Sequence, residues 1–117
     1  QANCRNISVY LNDFGVTSID GADVDNMSSD NCGIVSMKLS DSTFDCLDIG
    51  NQFVTLVVKD FSGNQDSCQS IISVLDTIKP TPICADTTVY LNSLGMFDIT
   101  SSFINNGTFD NCSLYFY

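Results

Sequence analysis

The sequence predicts an all-β fold, an antiparallel β-sandwich used in tandem copies. Three observations point to it. Short stretches alternate apolar and polar residues with a period of two and are separated by turn residues. No stretch keeps a helical period. The chain also matches itself, without a gap, at a shift of 80 residues, the step from Asp30 to Asp110. In that self-alignment Asp30-Asn31-Cys32 returns as Asp110-Asn111-Cys112 and Val9-Tyr10-Leu11-Asn12 as Val89-Tyr90-Leu91-Asn92, while Cys4, Gly15, Ile19 and Asn26 return as Cys84, Gly95, Ile99 and Asn106. Solenoid repeats are about 20–50 residues long, so a longer period implies an array of small domains.

Taken in order, residues 6–11 alternate, with Ile7, Val9 and Leu11 on one face and Asn6, Ser8 and Tyr10 on the other, which makes a half-buried strand. Asn12-Asp13-Phe14-Gly15 is turn chemistry, and residues 16–19 resume a short strand. Residues 20–30 are acidic and small, too polar for a core strand; they predict a loop with at most one helical turn around residues 21–25. Residues 33–40 alternate again, with Val35, Met37 and Leu39 expected to face inward. Phe44-Asp45-Cys46 predicts a short edge segment, and Asp48-Ile49-Gly50-Asn51 a turn. The strongest strand is predicted over residues 53–60, where Val54, Leu56 and Val58 share a face. Ser62-Gly63-Asn64 is a loop tip, and residues 67–75 close the module with Ile72 and Val74 inside. About six short strands with no helix of any length read as a sandwich.

The same reading gives one module over residues 1–76, a linker over 77–82, and the first part of a second copy over 83–117. Pro80 and Pro82 fix their own φ and hold the residues before them extended, so the linker is expected to be short and stiff and successive modules to form a semi-rigid rod. With Gln1 in place of a start methionine and the second copy breaking off within a module, the chain reads as a piece of a longer mature protein.

Composition bounds the function. A module of this size buries only about 60–65% of its unfolded surface, so its core is marginal without a staple. The six cysteines, with no histidine and no Cys-x-x-Cys pair, favour disulfides over zinc and an oxidising compartment outside the cytoplasm. A net charge of −10, with Arg5, Lys38, Lys59 and Lys79 as the cations, argues against a nucleic-acid or anionic-membrane surface. No apolar run approaches the roughly 20 residues of a membrane span.

The acidic loop suggests calcium, which takes six to eight oxygen ligands. The positions that keep an Asp or Asn in both copies are Asp25, Asn26, Asp30 and Asn31; of these Asp25, Asp30 and Asn31 are the candidate ligands, with Asp60 at a loop end as a fourth. The alternative is that Asp and Asn here cap turns and bond the backbone, so that Asp30 and Asn31 hold the turn presenting Cys32. Catalysis finds no support: no histidine is present to act as base, and the carboxylates fall in solvated turns rather than in an acid and base pair. Tyr10 and Tyr90, at matching outward positions, are expected to cover the sheet or a module junction.

The series Cys4, Asp30-Asn31-Cys32-Gly33, Val54-Thr55-Leu56-Val57-Val58-x-Asp60-x-x-Gly63-Asn64, Cys68, Val74-x-Asp76 and Pro80 resembles the hyalin-repeat group of immunoglobulin-like domains. It is most similar to the tandem versions in very large surface adhesins of Bacteroidota, including those of gliding motility. The likeness covers the first module and continues into the second. Cys46 is outside the general pattern of that group and suits the bacterial variant.

The resemblance implies an immunoglobulin-like sandwich repeated along a secreted cell-surface filament, with no catalytic residues and no membrane insertion. It also implies that the first and last strands lie side by side, so that Cys4 meets Cys68 and Cys32 and Cys46 remain for each other; the rival scheme joins Cys68 to Cys84 across the linker. Cys84 and Cys112 are then either free or paired together. Asp41-Ser42-Thr43, Asp76-Thr77-Ile78 and Asp86-Thr87-Thr88 resemble the O-glycosylation signal of that phylum and mark Ser42, Thr77 and Thr87 as attachment sites. The sequons at Asn6, Asn26, Asn106 and Asn111 matter only in a host with N-glycosylation.

Two functions compete on this reading. One is a stalk or spacer module whose partners are the neighbouring modules of its own chain. The other is a module that binds surface glycans or other cell-surface proteins through its loops, gaining avidity from repetition.

Overall fold

The computed structural model describes residues 1–112, so residues 113–117 of the expected second copy lie outside the described residues. The chain divides into two units, Gln1–Thr77 and Ile78–Tyr117. The first is mostly strand: β1 (Ile7–Tyr10), β2 (Val16–Ser18), β3 (Ile34–Leu39), β4 (Thr43–Asp45), β5 (Gly50–Asp60) and β6 (Gln65–Leu75), with one helical turn, α1 (Gly21–Val24), and a 3-10 turn at Cys46–Asp48. One sheet has the order β1-β6-β5-β3 and a second pairs β2 with β4. All pairings are antiparallel except β1 with β6, which run parallel from Ile7 opposite Ile72 to Tyr10 opposite Leu75.

The period-two pattern does the sorting. Along β5, Val54, Leu56, Val58 and Asp60 are buried, and along β6 Ser70, Ile72 and Val74. Val9, Leu11, Ile19, Val24 and Phe44 complete the core. Burying a side chain of this size is worth about 1.5–3 kcal/mol, so a core this small leaves little to spare. Ser70 is the one hydroxyl in that row, and its Oγ donates to the Arg5 carbonyl at 2.6 Å. α1 sits against β3 so closely that a Cβ on Gly21 would come within 2.8 Å of the Met37 Cβ.

Three expectations need correction. Val35 does not face inward: it is 48% exposed, because the register slips between Ile34 and Ser36 and Val35 is the extra residue of a β-bulge. Beyond the bulge Met37 and Leu39 face Val58 and Leu56 as expected. β5 begins at Gly50 rather than at Phe53, since Gly50 pairs with Val74 and the predicted turn over residues 48–51 is already half strand. The third concerns the cysteines. Cys4 is joined to Cys68, their Cα atoms 5.8 Å apart, but the expected Cys32–Cys46 bond is not formed. Cys32 is a free, exposed thiol, whereas Cys46 is disulfide-bonded. The chain changes sheets between them: β3 lies in the four-stranded sheet and β4 in the other, so the strand after Cys32 does not return as a hairpin to Cys46. A disulfide needs its Cα atoms within about 7 Å, and that crossing removes the reason to expect it.

The second unit repeats the turn, bridge and clasp bonds of the first. Asn12 organises its turn by accepting the Phe14 and Val16 N–H groups on Oδ1 while Gly15 N–H reaches its carbonyl; Asn92 does the same for Leu94, Met96 and Gly95. The isolated bridge Cys4 to Asp25 returns as Cys84 to Asn105, and α1 returns as α2 (Ser101–Ile104). Ser28 Oγ clasps both N–H and carbonyl of Asn3, and Thr108 Oγ1 those of Ile83. The core positions do not repeat in burial. Leu11 is 3% exposed and Leu91 66%; Val24 is 0% and Ile104 40%. The described residues of the second unit contain no counterpart of β5 and β6 to cover them.

Three substitutions test this description. Leu11→Ala should destabilise the first unit by about 2–5 kcal/mol in urea melts, whereas Leu91→Ala, at the same repeat position, should stay within about 0.5 kcal/mol. Met27, exposed at φ 62°, stands where the second copy has Gly107 at φ 83°. The left-handed region costs a side chain about 1–2 kcal/mol, so Met27→Gly should raise the melting temperature rather than lower it.

Candidate functional site

The candidate metal ligands fall on the turns at one end of the first unit. Asp25 follows α1, and its Oδ1 accepts the Ser28 N–H at 3.0 Å. Asp30 caps the turn before β3 through Oδ2, which accepts the Cys32 N–H at 2.9 Å. Asn31, beside it, is exposed. Asp60 ends β5, and its carboxylate holds the hairpin to β6: Oδ1 accepts the N–H groups of Ser62 and Asn64 at 2.8 and 2.9 Å, and Oδ2 the Asn64 side-chain amide at 3.0 Å. Gly63, at φ 89°, lets the loop close. The Asp60-x-x-Gly63-Asn64 spacing is therefore a loop lock, in which one carboxylate satisfies three donors.

Asp30 and Asp60 line a single cleft of about 200 Å³, together with Ile34, Val58, Asn64 and Asp66. Asp25 and Asn31 are not part of it, so the four candidates do not converge as one ligand set. Among the described residues no group of three or more carboxylates or thiols is placed to hold a metal ion. Asp66 was not singled out from the sequence. Its Oδ2 accepts the Ala2 N–H at 2.7 Å and ties the start of β6 to the segment before β1.

Three carboxyls are held below the ordinary aspartate range, and each for a structural reason. For Asp25 the hydrogen bond from the Ser28 side chain leads, helped by the Ser28 and Met27 N–H groups and Arg5 and opposed by burial. For Asp60 it is the Asn64 side chain first, then the loop N–H groups, again against burial. For Asp66 it is the Ala2 and Ser67 N–H groups. Each is a carboxylate fixed by donors of its own chain, which is the chemistry of a turn former.

A second, wider depression of about 500 Å³ runs along β2 and β4, lined by Asn12, Thr17, Ser18, Thr43, Asp45 and Asp48 among others. Its two carboxylates are also engaged, each accepting a backbone N–H in the cap of the 3-10 turn. The hydroxyl-bearing residues marked for glycosylation, Ser42, Thr77 and Thr87, are all exposed. No helix among the described residues is long and apolar enough to cross a membrane. Comparison with family models, curated proteins and solved structures finds no match for this chain.

The lowered carboxyls set an acid response. A group whose folded-state pKa lies below its unfolded value, 3.8 for these aspartates, contributes stability above that value and loses it as pH falls through the folded one. The melting temperature should hold steady above about pH 5 and fall progressively below about pH 4. In Asp60→Ala it should start lower at neutral pH and fall less steeply in acid. An equally steep acid limb in that variant would remove Asp60 from the account.

Proposed function

We propose that the chain is a non-catalytic structural repeat module of a long secreted cell-surface adhesin, an immunoglobulin-like sandwich of the hyalin-repeat kind that acts as a stalk or spacer in adhesion or gliding. The observation that carries this reading is the recurrence of the turn, bridge and clasp hydrogen bonds at the 80-residue step from Asn12 to Asn92. A unit that keeps these turn, bridge and clasp bonds, while residues such as Arg5 and Asp20 become Ala85 and Thr100, preserves a scaffold and lets its surface drift. The parallel closure of first on last strand and the two-sheet arrangement of the first unit support the sandwich assignment. The disulfides support an oxidising, extracellular setting. Exposed hydroxyls at Ser42, Thr77 and Thr87 suit O-linked glycans, which add bulk and protease resistance to a stalk.

A second reading, a binding module, draws on the loop tips, where Phe14, Leu47 and Phe61 are largely exposed. Solitary apolar side chains at the surface are common, so the spacer reading stands first. The two separate in a glycan-array and cell-binding assay on chains of one, two and three modules. No saturable binding at any length is expected. Binding whose avidity climbs with module number would transfer the function to the loops.

A further inference from the structure

Cys32 is the free thiol in a position where the repeat is otherwise crosslinked. It lies exposed in the Asp30-Asn31-Cys32 turn, its N–H held by Asp30 Oδ2 at 2.9 Å. The second copy builds the same turn, with the Cys112 N–H on Asp110 Oδ2 at 3.2 Å, yet Cys112 is disulfide-bonded. One repeat position thus occurs once as a thiol and once as a disulfide. Within the first module Cys4 and Cys68 take each other. Cys46 is bonded although the Cys32 of its own module is free. The module therefore carries one staple that closes on itself and two positions, 32 and 46, that do not serve each other.

From this bookkeeping we propose that Cys32 is an intermodule crosslinking site, and that its partner is the cysteine at the Cys46 position of the preceding copy of the module. The proposal rests on reading the module as one unit of a tandem array. The turn suits the role. Asp30 fixes the backbone of Cys32, Gly33 follows at φ 89°, and the free cysteine is exposed to solvent.

The chemistry is thiol–disulfide exchange with a disulfide oxidant. The Cys32 thiolate attacks the oxidant's disulfide and releases one of its thiols as a mixed disulfide forms. The partner thiolate then attacks the Cys32 sulfur and releases the second thiol. Two protein thiols lose two protons and two electrons, and the oxidant's disulfide takes them up as two thiols.

The test uses a chain in which residues 1–80 are placed once more in front of the full sequence, oxidised with glutathione disulfide, alkylated, and digested without reduction for mass spectrometry. Cys32 of the second copy should appear joined to Cys46 of the first, while Cys32 of the first copy is alkylated. Alkylation of the second copy's Cys32 should be lower by at least about tenfold. A companion chain with Cys32→Ser in the second copy alone should leave the first copy's Cys46 open to alkylation and keep both Cys4–Cys68 bonds, which reports that the modules still fold. Equal alkylation of the two Cys32 residues, or a Cys32–Cys46 bond inside one copy, overturns the proposal. Neither outcome would make the modules ligand-binding, so the spacer reading fails separately, by the binding assay.

Discussion

The first unit depends on the parallel pairing of β1 with β6, which joins the start of the module to its end. The contact begins at the Cys4–Cys68 disulfide, with a separation of 64 residues. It continues through Ser70 Oγ on the Arg5 carbonyl and the Ile71 N–H on Asn6 Oδ1, runs along the four ladder pairs, and ends at the Leu11 N–H on the Leu75 carbonyl. Every element between these strands is the crossover that a parallel pair requires. Closing so long a loop is costly in entropy, and the disulfide removes that entropy from the unfolded chain, by about 4 kcal/mol on the loop-entropy model. Burial of Val9, opposite Val74, and of Leu11 just beyond the ladder depends on that closure.

The second unit separates what is local from what waits on that closure. The Asn92 turn, the α2 turn, the Cys84 to Asn105 bridge and the Thr108 clasp span 25 residues or fewer and form in the same pattern as in the first unit. Val89, Leu91, Ile99 and Ile104 are exposed in the second unit, where the described residues include no long sheet. Asparagine and aspartate thus set the local geometry, and the long-range sheet supplies the core.

The same division explains what could be read from the sequence. Alternation located β1, β2, β3, β5 and β6 to within a few residues, because a period of two registers a local property, which face of the strand meets the core. Val35 escaped because a bulge is a mismatch between two strands and leaves no mark in one of them. The Cys32–Cys46 expectation failed for a related reason: the sheet that β4 joins is decided by its pairing with β2, nearly 30 residues upstream by the register Thr17 to Phe44, and not by the hairpin-like look of residues 33–46. At the acidic turns the sequence could not choose between calcium and capping, since both use Asp and Asn oxygens. The structure adds the count of donors aimed at the Asp60 carboxylate, three from its own loop.

Comparing the copies then shows which carboxylates matter structurally. Asp20 caps α1 in a reciprocal bond with Asp23, but its counterpart Thr100 makes no side-chain cap to α2, and α2 forms nonetheless with its backbone bond from Asn105 to Ser101. A cap contributes about 1 kcal/mol, which one four-residue turn can forgo when the flanking bridge and clasp hold its ends. Asp30 and Asp110, by contrast, make the same bond in both copies, to the N–H of the cysteine two residues on. The net charge of −10 follows from this economy. A small module with a limited core shapes its loops with short acidic and amide side chains, and ionised caps bond the backbone more strongly than neutral ones. The carboxylates therefore accumulate where the chain turns.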